Sequence, residues 1–388
     1  MSARAARARA TKSSPATHAP DATQQETIRS VAIIGLGVIG GSLALAIRRA
    51  DPTITIIGYA RERALEAART RSIADVYTGD VTEAVRTADC VFVCTPVHTI
   101  LDLLPEIARV VKPQTIVTDV GSTKEAVCLY AKKLFRRNGI FIGGHPMAGS
   151  EGSGIGYADA LLFQNAVYVL CPVSARPEAS RRLAMLVQSF GARVFLMKPG
   201  EHDRIAACIS HVPQLAAVAL MQTAGKKNET NGAYLQLAAG GFRDMTRIAS
   251  SPYGMWNDIL ATNSLQIKRA LSDLQAVLFR FERQLGDRNF SAFNRDFTKA
   301  KTLRDRIPKN VKGFLAPLFD VYVSAEDRPG ILATITSALA RAGVNIKDIE
   351  LLKIREGESG TFRLGFESEA AAECAITVLA KKKIKAGR

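Results

Sequence analysis

The stretch that most limits what this chain can fold into is SVAII-GLGVIG-GSLALAI, running from Ser30 to Ile47. Ser30–Ile34 is a continuous apolar run and predicts a buried strand. From Val38 to Arg49 the apolar residues fall at helical spacing. Between the two, Gly35, Gly37 and Gly40 permit a tight turn and a close approach of backbone to a ligand. The first N–H groups of such a helix have no partner within it, so an anionic pyrophosphate fits beyond the turn. Glycine spacing alone is a weak signal that unliganded turns share. The strand before it and the helix after it favour a dinucleotide site.

Thr53–Gly58, Cys90–Cys94, Thr115–Asp119, Ile140–Gly143 and Ala166–Leu170 repeat the apolar strand pattern, with helical stretches among them. Such alternation predicts a parallel sheet covered on both faces. Residues 29–198 are therefore expected to form an α/β, Rossmann-type doubly wound domain. From 199 to 312 β-rich runs almost vanish, and HVPQLAAVALMQTA and NSLQIKRALSDLQAVLFRFERQL read as helices. This all-helical domain carries more apolar surface than one packed layer requires, which predicts a homodimer. Residues 317–388 form a third unit. FDVYVS alternates as a strand, EDRPG turns, and Ile331–Ala342 reads as a helix ended by Gly343. Asn345–Ile354 and Gly360–Glu367 read as strands joined by a Gly-Glu-Ser turn, and Glu369–Lys381 as a closing helix. The order β-α-β-β-α, with a last strand short or missing, predicts a ferredoxin-like module.

A length of 388 residues suffices for two or three domains, and 47% hydrophobic with 23% charged content is ordinary for a globular chain. No apolar run reads as long enough to cross a bilayer, so no membrane partner is expected. The six cysteines are scattered, several inside apolar runs such as ADCVFVCTPV, which points to reduced thiols and a cytoplasmic location. Cys90 and Cys94 have the spacing of a metal pair but no second pair beside them, so no metal is expected. The net charge of +16 admits nucleic acid, acidic membrane surfaces or anionic small molecules. Part of it lies in residues 1–28, where Arg4, Arg7, Arg9 and Lys12 precede the first acid, Asp21. That segment lacks a firm apolar period and reads as a disordered tail, with a transit peptide the weaker reading. No helix-turn-helix, zinc or RNA-binding signature accompanies the charge, so no nucleic-acid partner is expected.

The second strand should end with the residue that reads the adenine ribose. A carboxylate there favours NAD and repels a 2′-phosphate. This chain instead has Tyr59, Ala60 and Arg61, then Glu62 and Arg63. A guanidinium at that place can pair with a 2′-phosphate, so NADP is favoured over NAD, with Glu62 left to serve NAD. Further on, GGHPMAGSEGSG sets His145 at a strand end, on the edge where a doubly wound sheet holds its ligands. An imidazole there can accept a hydroxyl proton as a hydride leaves. TDVGSTK comes off the preceding strand at the same edge and brings Ser122 toward the imidazole. A lone loop histidine is more often structural; the two segments together shift the balance toward chemistry.

Taken in order, IIGLGVIGGSLALAI, ADCVFVCTPV, TDVGSTK, GGHPMAGSEGSG, SHVPQLAAVAL and GGFRDMTRIASSPYGMW resemble the prephenate/arogenate (cyclohexadienyl) dehydrogenase family. EDRPGILATITSALARAGVNI resembles an ACT domain, a regulatory module. The resemblance implies oxidative decarboxylation of prephenate, a small dicarboxylic acid, to 4-hydroxyphenylpyruvate with hydride transfer to NAD(P), in tyrosine biosynthesis. Arogenate as substrate is one alternative and a β-hydroxyacid-type dehydrogenase another, although those enzymes carry a lysine base on the helical domain. The family pattern implies His145 as catalytic partner of the ring hydroxyl, Ser122 beside it, and Arg247 gripping a substrate carboxylate. A planar guanidinium offers two parallel bonds for that purpose. It also implies Ser150 and Glu151 at the substrate mouth, Glu151 gating access or contacting Arg247. Trp256 is implied beside the pocket, with core filling an equal reading. The implied cofactor set is Gly35, Gly37, Val38, Ile39 and Gly40 on the turn, Tyr59, Ala60 and Arg61 after the second strand, and Thr95 and Pro96 after CVFVC.

One position departs from the pattern. Many relatives carry a second histidine in S-H-x-P-H, whereas this chain reads Ser210-His211-Val212-Pro213-Gln214. Gln214 can bond a substrate carbonyl or carboxylate but cannot titrate near neutral pH, which leaves prephenate against arogenate open. His211 reads equally as a cap or a core residue, and His98, His202 and His211 lack the spacing of a zinc site. In the ACT-like unit Asp327 and Gly330, with Asn345 and Ile346, mark the corners that hold a ligand between paired copies of such domains. That implies tyrosine as an effector; a dimerising module without a ligand is the rival reading, and a non-enzymatic amino-acid sensor the remaining one.

Overall fold

The computed structural model describes residues 27–149, 152–173, 176–307, 318–326, 328–353 and 360–387. Ser150, Glu151, Asp327, the Gly-Glu-Ser turn and the tail up to Glu26 lie outside the described residues. An eight-stranded sheet comprises β1 (Ser30–Ile34), β2 (Thr55–Tyr59), β3 (Val76–Thr78), β4 (Cys90–Val93), β5 (Ile116–Asp119), β6 (Ile140–Pro146), β7 (Val167–Pro172) and β8 (Arg193–Leu196). Their spatial order is β3-β2-β1-β4-β5-β6-β7-β8. Alternate residues of the central strands feed two layers. Val31, Ile33 and Phe92 pack into one, with the helices Val38–Ala50 and Pro177–Ser189. Ala32, Ile34, Val91 and Val93 pack into the other, with Val97–Val110 and Glu125–Leu134. Because both faces are covered, these strands read as unbroken apolar runs. Each fully buried Ile or Phe contributes about 1.5–3 kcal/mol.

The sheet is parallel from β3 across to β6, as expected, and departs from that arrangement at one pairing. β7 runs antiparallel to β6, setting His145 opposite Val169, and β8 runs parallel to β7. A parallel successor to β6 would need a crossover, usually a helix, and the described residues between β6 and β7 hold only the short 3-10 turn Ile155–Tyr157. β6 also extends beyond Gly143, so His145 is its penultimate residue.

The helical region begins with Pro199–Ala206, passes through a π-helical turn at Ala207–His211 and continues as Val212–Asn228. Pro213 has no N–H for the carbonyl four residues earlier, which accounts for the irregular turn. By length and composition this run is apolar enough to cross a membrane, with mean hydropathy 1.4 in its most apolar window, where none was expected. Its polar residues His202, Asp203, His211 and Gln214 are buried and bonded to protein partners, as in a core helix. Tyr253–Thr262, Ser264–Gly286 and Phe290–Asp305 complete the region. Its own buried cluster is small, built on Ala207, Ile259 and Ile267, while Leu278, Phe279, Leu285, Phe290 and Phe297 stand exposed.

The C-terminal module holds β9 (Phe319–Ala325), β10 (Asp348–Lys353), β11 (Gly360–Phe366) and β12 (Lys385–Gly387), ordered β10-β11-β9-β12 and antiparallel throughout. The helices Ile331–Arg341 and Glu369–Lys381 bury Ile335, Leu339 and Leu379 against Val321, Val323 and Leu364. The last strand is present and short, completing the ferredoxin-like order.

Candidate active site

The carboxyl ends of β1, β2, β4, β5 and β6 converge on one edge of the sheet. At the end of β1, Gly35 adopts φ +104, a left-handed conformation that side chains resist. A Cβ on Gly40 would fall 2.0 Å from the Gly35 carbonyl oxygen, so the helix can start there only without one. A Cβ on Gly37 would meet nothing within 4 Å, which leaves open space in front of the helix start. Val38 and Ile39 border that space half-buried. Beside the turn, the Thr95 hydroxyl oxygen is buried without a hydrogen-bond partner, and Pro96 begins the helix Val97–Val110. An open glycine cradle with an orphaned hydroxyl next to it fits a dinucleotide. At the end of β2, Tyr59 is half-buried, Ala60 buried, and Arg61 and Arg63 exposed. Among the described residues no group of three or more His, Cys, Asp or Glu is gathered to hold a metal ion.

β5 ends in Asp119, which is fully buried and paired with the equally buried ammonium of Lys124. Asp119 also accepts N–H bonds from Gly121 (2.9 Å) and Gly144 (3.1 Å). One carboxylate thus ties the loop carrying Ser122 to the strand carrying His145. Ser122 is half-buried on that loop. A Cβ on Gly144 would fall 2.4 Å from the Asp119 carbonyl, so the two segments touch through backbone.

The His145 ring is half-buried. Its Nδ1 lies 2.8 Å from Nε2 of His202, whose Nδ1 lies 2.8 Å from Oδ1 of Asp203. Nε2 of His145 has no hydrogen-bond partner among the described residues. Burial holds the His145 pKa well below the ordinary histidine value, and the positive charge available to His202, Lys124 and His211 acts in the same direction. The ring is therefore neutral at physiological pH, the state a general base needs.

The helical region meets the sheet edge at two helix starts that lack their own side-chain caps. Asp203 accepts from Lys124 N (2.7 Å) and Glu125 N (2.9 Å), capping Glu125–Leu134. Asp258 accepts from His98 N (3.0 Å) and bonds the His98 ring, capping Val97–Val110. The hydroxyls of Thr123 and Thr262 meet at 2.7 Å. His211 is buried, with Asn263 Nδ2 at 3.3 Å and the edge of Trp256 at 6.0 Å between centroids. Burial lowers its pKa to about 4. Gln214 donates to the Ile248 carbonyl at 2.9 Å and so holds the turn Arg247–Ser250. Arg247 is exposed at the start of that turn, and the Trp256 indole N–H is buried without a partner among the described residues.

Residues 43–196 match the family described as prephenate dehydrogenase, nucleotide-binding domain, and residues 198–299 its dimerization domain. The chain belongs to the prephenate dehydrogenase family. Residues 319–372 match the ACT domain family. The prephenate dehydrogenase of Bacillus subtilis is 35% identical over 344 residues, covering 88% of this chain and 92% of that one. The cyclohexadienyl dehydrogenase of Zymomonas mobilis is 32% identical, covering 67% of this chain and 90% of its own length. Among solved structures, Synechocystis arogenate dehydrogenase superposes with TM-score 0.64 at 31% identity, over 71% of this chain and 99% of that one. Aquifex aeolicus prephenate dehydrogenase, solved with hydroxyphenyl propionate and NAD+, gives 0.65 at 25% identity, over 73% and 99%. This member of the prephenate dehydrogenase family is thus an enzyme that works with a nicotinamide dinucleotide. Read from sequence, His202 stands out only as lacking zinc-site spacing, and Asp203 is not singled out. The available signal was the polar pair His202-Asp203 just ahead of a largely apolar run, IAACISHV.

Proposed function

We propose that this chain converts prephenate to 4-hydroxyphenylpyruvate, with His145 as general base. The observation that carries the reading is a half-buried imidazole whose Nε2 has no hydrogen-bond partner among the described residues, on the sheet edge that also bears the glycine turn and the Ser122 loop. The nicotinamide, when bound, supplies the hydride acceptor; Gly35, Gly37, Val38, Ile39, Gly40, Tyr59, Ala60, Thr95 and Pro96 would hold the dinucleotide. His145 accepts the ring hydroxyl proton at Nε2 as the carbinol C–H bond breaks with its electron pair. The bond to the ring carboxylate then breaks, its electrons complete the aromatic ring as carbon dioxide departs, and the proton held on Nε2 returns to the ring oxygen. Ser122 orients the hydroxyl. Arg247 binds a carboxylate, Gln214 holds the turn that presents it, and Trp256 borders the mouth, with Ser150 and Glu151 as further candidates for substrate binding.

Arg61 and Arg63 at the end of β2 favour NADP over NAD. Arogenate is the second reading of the substrate, supported by the likeness to Synechocystis arogenate dehydrogenase. The apolar residues exposed on Ser264–Gly286 and Phe290–Asp305 form a homodimer interface. Tyrosine acts at the corners marked by Gly330, Asn345, Ile346 and Asp327, and its addition should lower turnover; flat activity up to millimolar tyrosine removes that assignment. Free cysteines throughout accord with a cytoplasmic enzyme. Measuring NAD(P)H formation with prephenate and arogenate, each crossed with NAD and NADP, tests the whole reading. The expected result is fastest turnover with prephenate and NADP; inertness toward both substrates would refute it.

A further inference from the structure

The hydrogen-bond chain behind His145 has a direction, and that direction decides whether the ring can act as a base. Asp203 is fully buried, and both its oxygens already accept backbone N–H groups of Lys124 and Glu125. A carboxylate has no hydrogen of its own to give. The hydrogen in the 2.8 Å contact between Oδ1 and His202 therefore sits on Nδ1 of His202. When that is the ring's one hydrogen, Nε2 of His202 is a lone pair. That lone pair faces Nδ1 of His145 at 2.8 Å, which must then supply the hydrogen between them. His145, also neutral, is left with its lone pair on Nε2, the nitrogen without a partner among the described residues.

We propose that His202 and Asp203 are positioning residues that fix the hydrogen of His145 on Nδ1 and so keep Nε2 bare for the substrate hydroxyl. The proposal rests on His145 being the base and adds what sets its tautomer. Neither residue touches substrate; both act through His145. They also belong to the helical region, and the same carboxylate caps the helix that follows the Ser122 loop. The base is thereby made competent by docking of the helical region onto the sheet edge. Ionisable groups facing the ring are His202 on Pro199–Ala206, His211 on the π turn, Lys124 on the loop after β5, and beyond them the carboxylates of Asp119 and Asp203.

The direct test uses the unmodified enzyme. The chain has five histidines, so 15N magic-angle-spinning spectra of histidine-labelled protein resolve few rings, and a His145→Asn sample identifies the signal of interest. A neutral His145 protonated at Nδ1 is expected at neutral pH; protonation at Nε2, or at both nitrogens, overturns the proposal. Kinetics provide the second arm. His202→Met removes the acceptor and is expected to lower kcat roughly ten- to hundredfold, with KM nearly unchanged. His202→Gln, similar in size but with an amide oxygen able to accept from Nδ1, is expected to recover a substantial part of that loss. Equal loss in both, or no loss in either, contradicts the tautomer role. Undiminished turnover in His145→Asn would instead remove the base assignment itself, so the two failures are separable.

Discussion

Acid should weaken this fold through His211, and the size of the effect follows from its surroundings. His211 is 1% exposed and packs against the Trp256 edge, with the Asn263 amide hydrogen directed at Nδ1. Protonation would place a second hydrogen against that amide inside the protein. Burial lowers its pKa from 6.5 to about 4, the favourable influence of Asp203 notwithstanding. The folded pKa lies below the unfolded one, so the stabilisation is complete above pH 6.5 and is lost as the pH falls toward 4. Below 6.5 the unfolded chain takes up a proton that the folded chain refuses. Between the two pKa values each pH step of one costs about 1.4 kcal/mol, so the loss reaches about 2 kcal/mol by pH 5 and about 3 kcal/mol by pH 4. His145 is displaced in the same direction and adds to it. The perturbation is His211→Asn, which sets an amide oxygen near the place of Nδ1 and cannot titrate. Urea unfolding of cofactor-free enzyme, at one protein concentration and at pH 7 and 5, gives the comparison. The variant starts less stable at pH 7 but should lose about 2 kcal/mol less than the parent between the two pH values. Equal losses would refute the argument that a neutral His211 is built into the fold.

Three further outcomes follow from particular contacts. Gly40→Ala should abolish dinucleotide binding by forcing the turn apart, whereas Gly37→Ala should fold with parental stability yet bind dinucleotide more weakly; calorimetric titration separates them. Arg247→Gln should raise KM for the diacid substrate roughly tenfold or more, the worth of one charge-assisted bond at about 1.5–3 kcal/mol, with dinucleotide affinity unchanged. Asp258→Ala uncaps the helix Val97–Val110 and should cost about 1 kcal/mol in chemical denaturation.

Much of the fold was legible in the chain because burial on both faces leaves a continuous apolar trace, as in Val31–Ile34 and Cys90–Val93. β3 and β8 were not, since Val76–Thr78 is three residues long and Arg193–Leu196 is mostly exposed. The reversal of β7 left no mark in periodicity, which carries no strand direction; the usable clue was that the described residues between Pro146 and Val167 hold no α-helix. At the site, the glycine turn, Ser122 and His145 were readable because each sits in a local motif. His202 was not, because it meets His145 from 57 positions away on another part of the fold. Gln214 was expected on substrate, yet its amide is committed to Ile248, a pairing that no local pattern announces.

The measurement closest to the central claim compares His145→Asn with the parent in two assays on the same preparation. Dinucleotide affinity should be nearly unchanged, because the glycine turn and Thr95 lie on other segments. Turnover of prephenate should fall about a hundredfold or more, the usual cost of losing a general base. Parental turnover in the variant would contradict the account, whatever the cofactor titration showed.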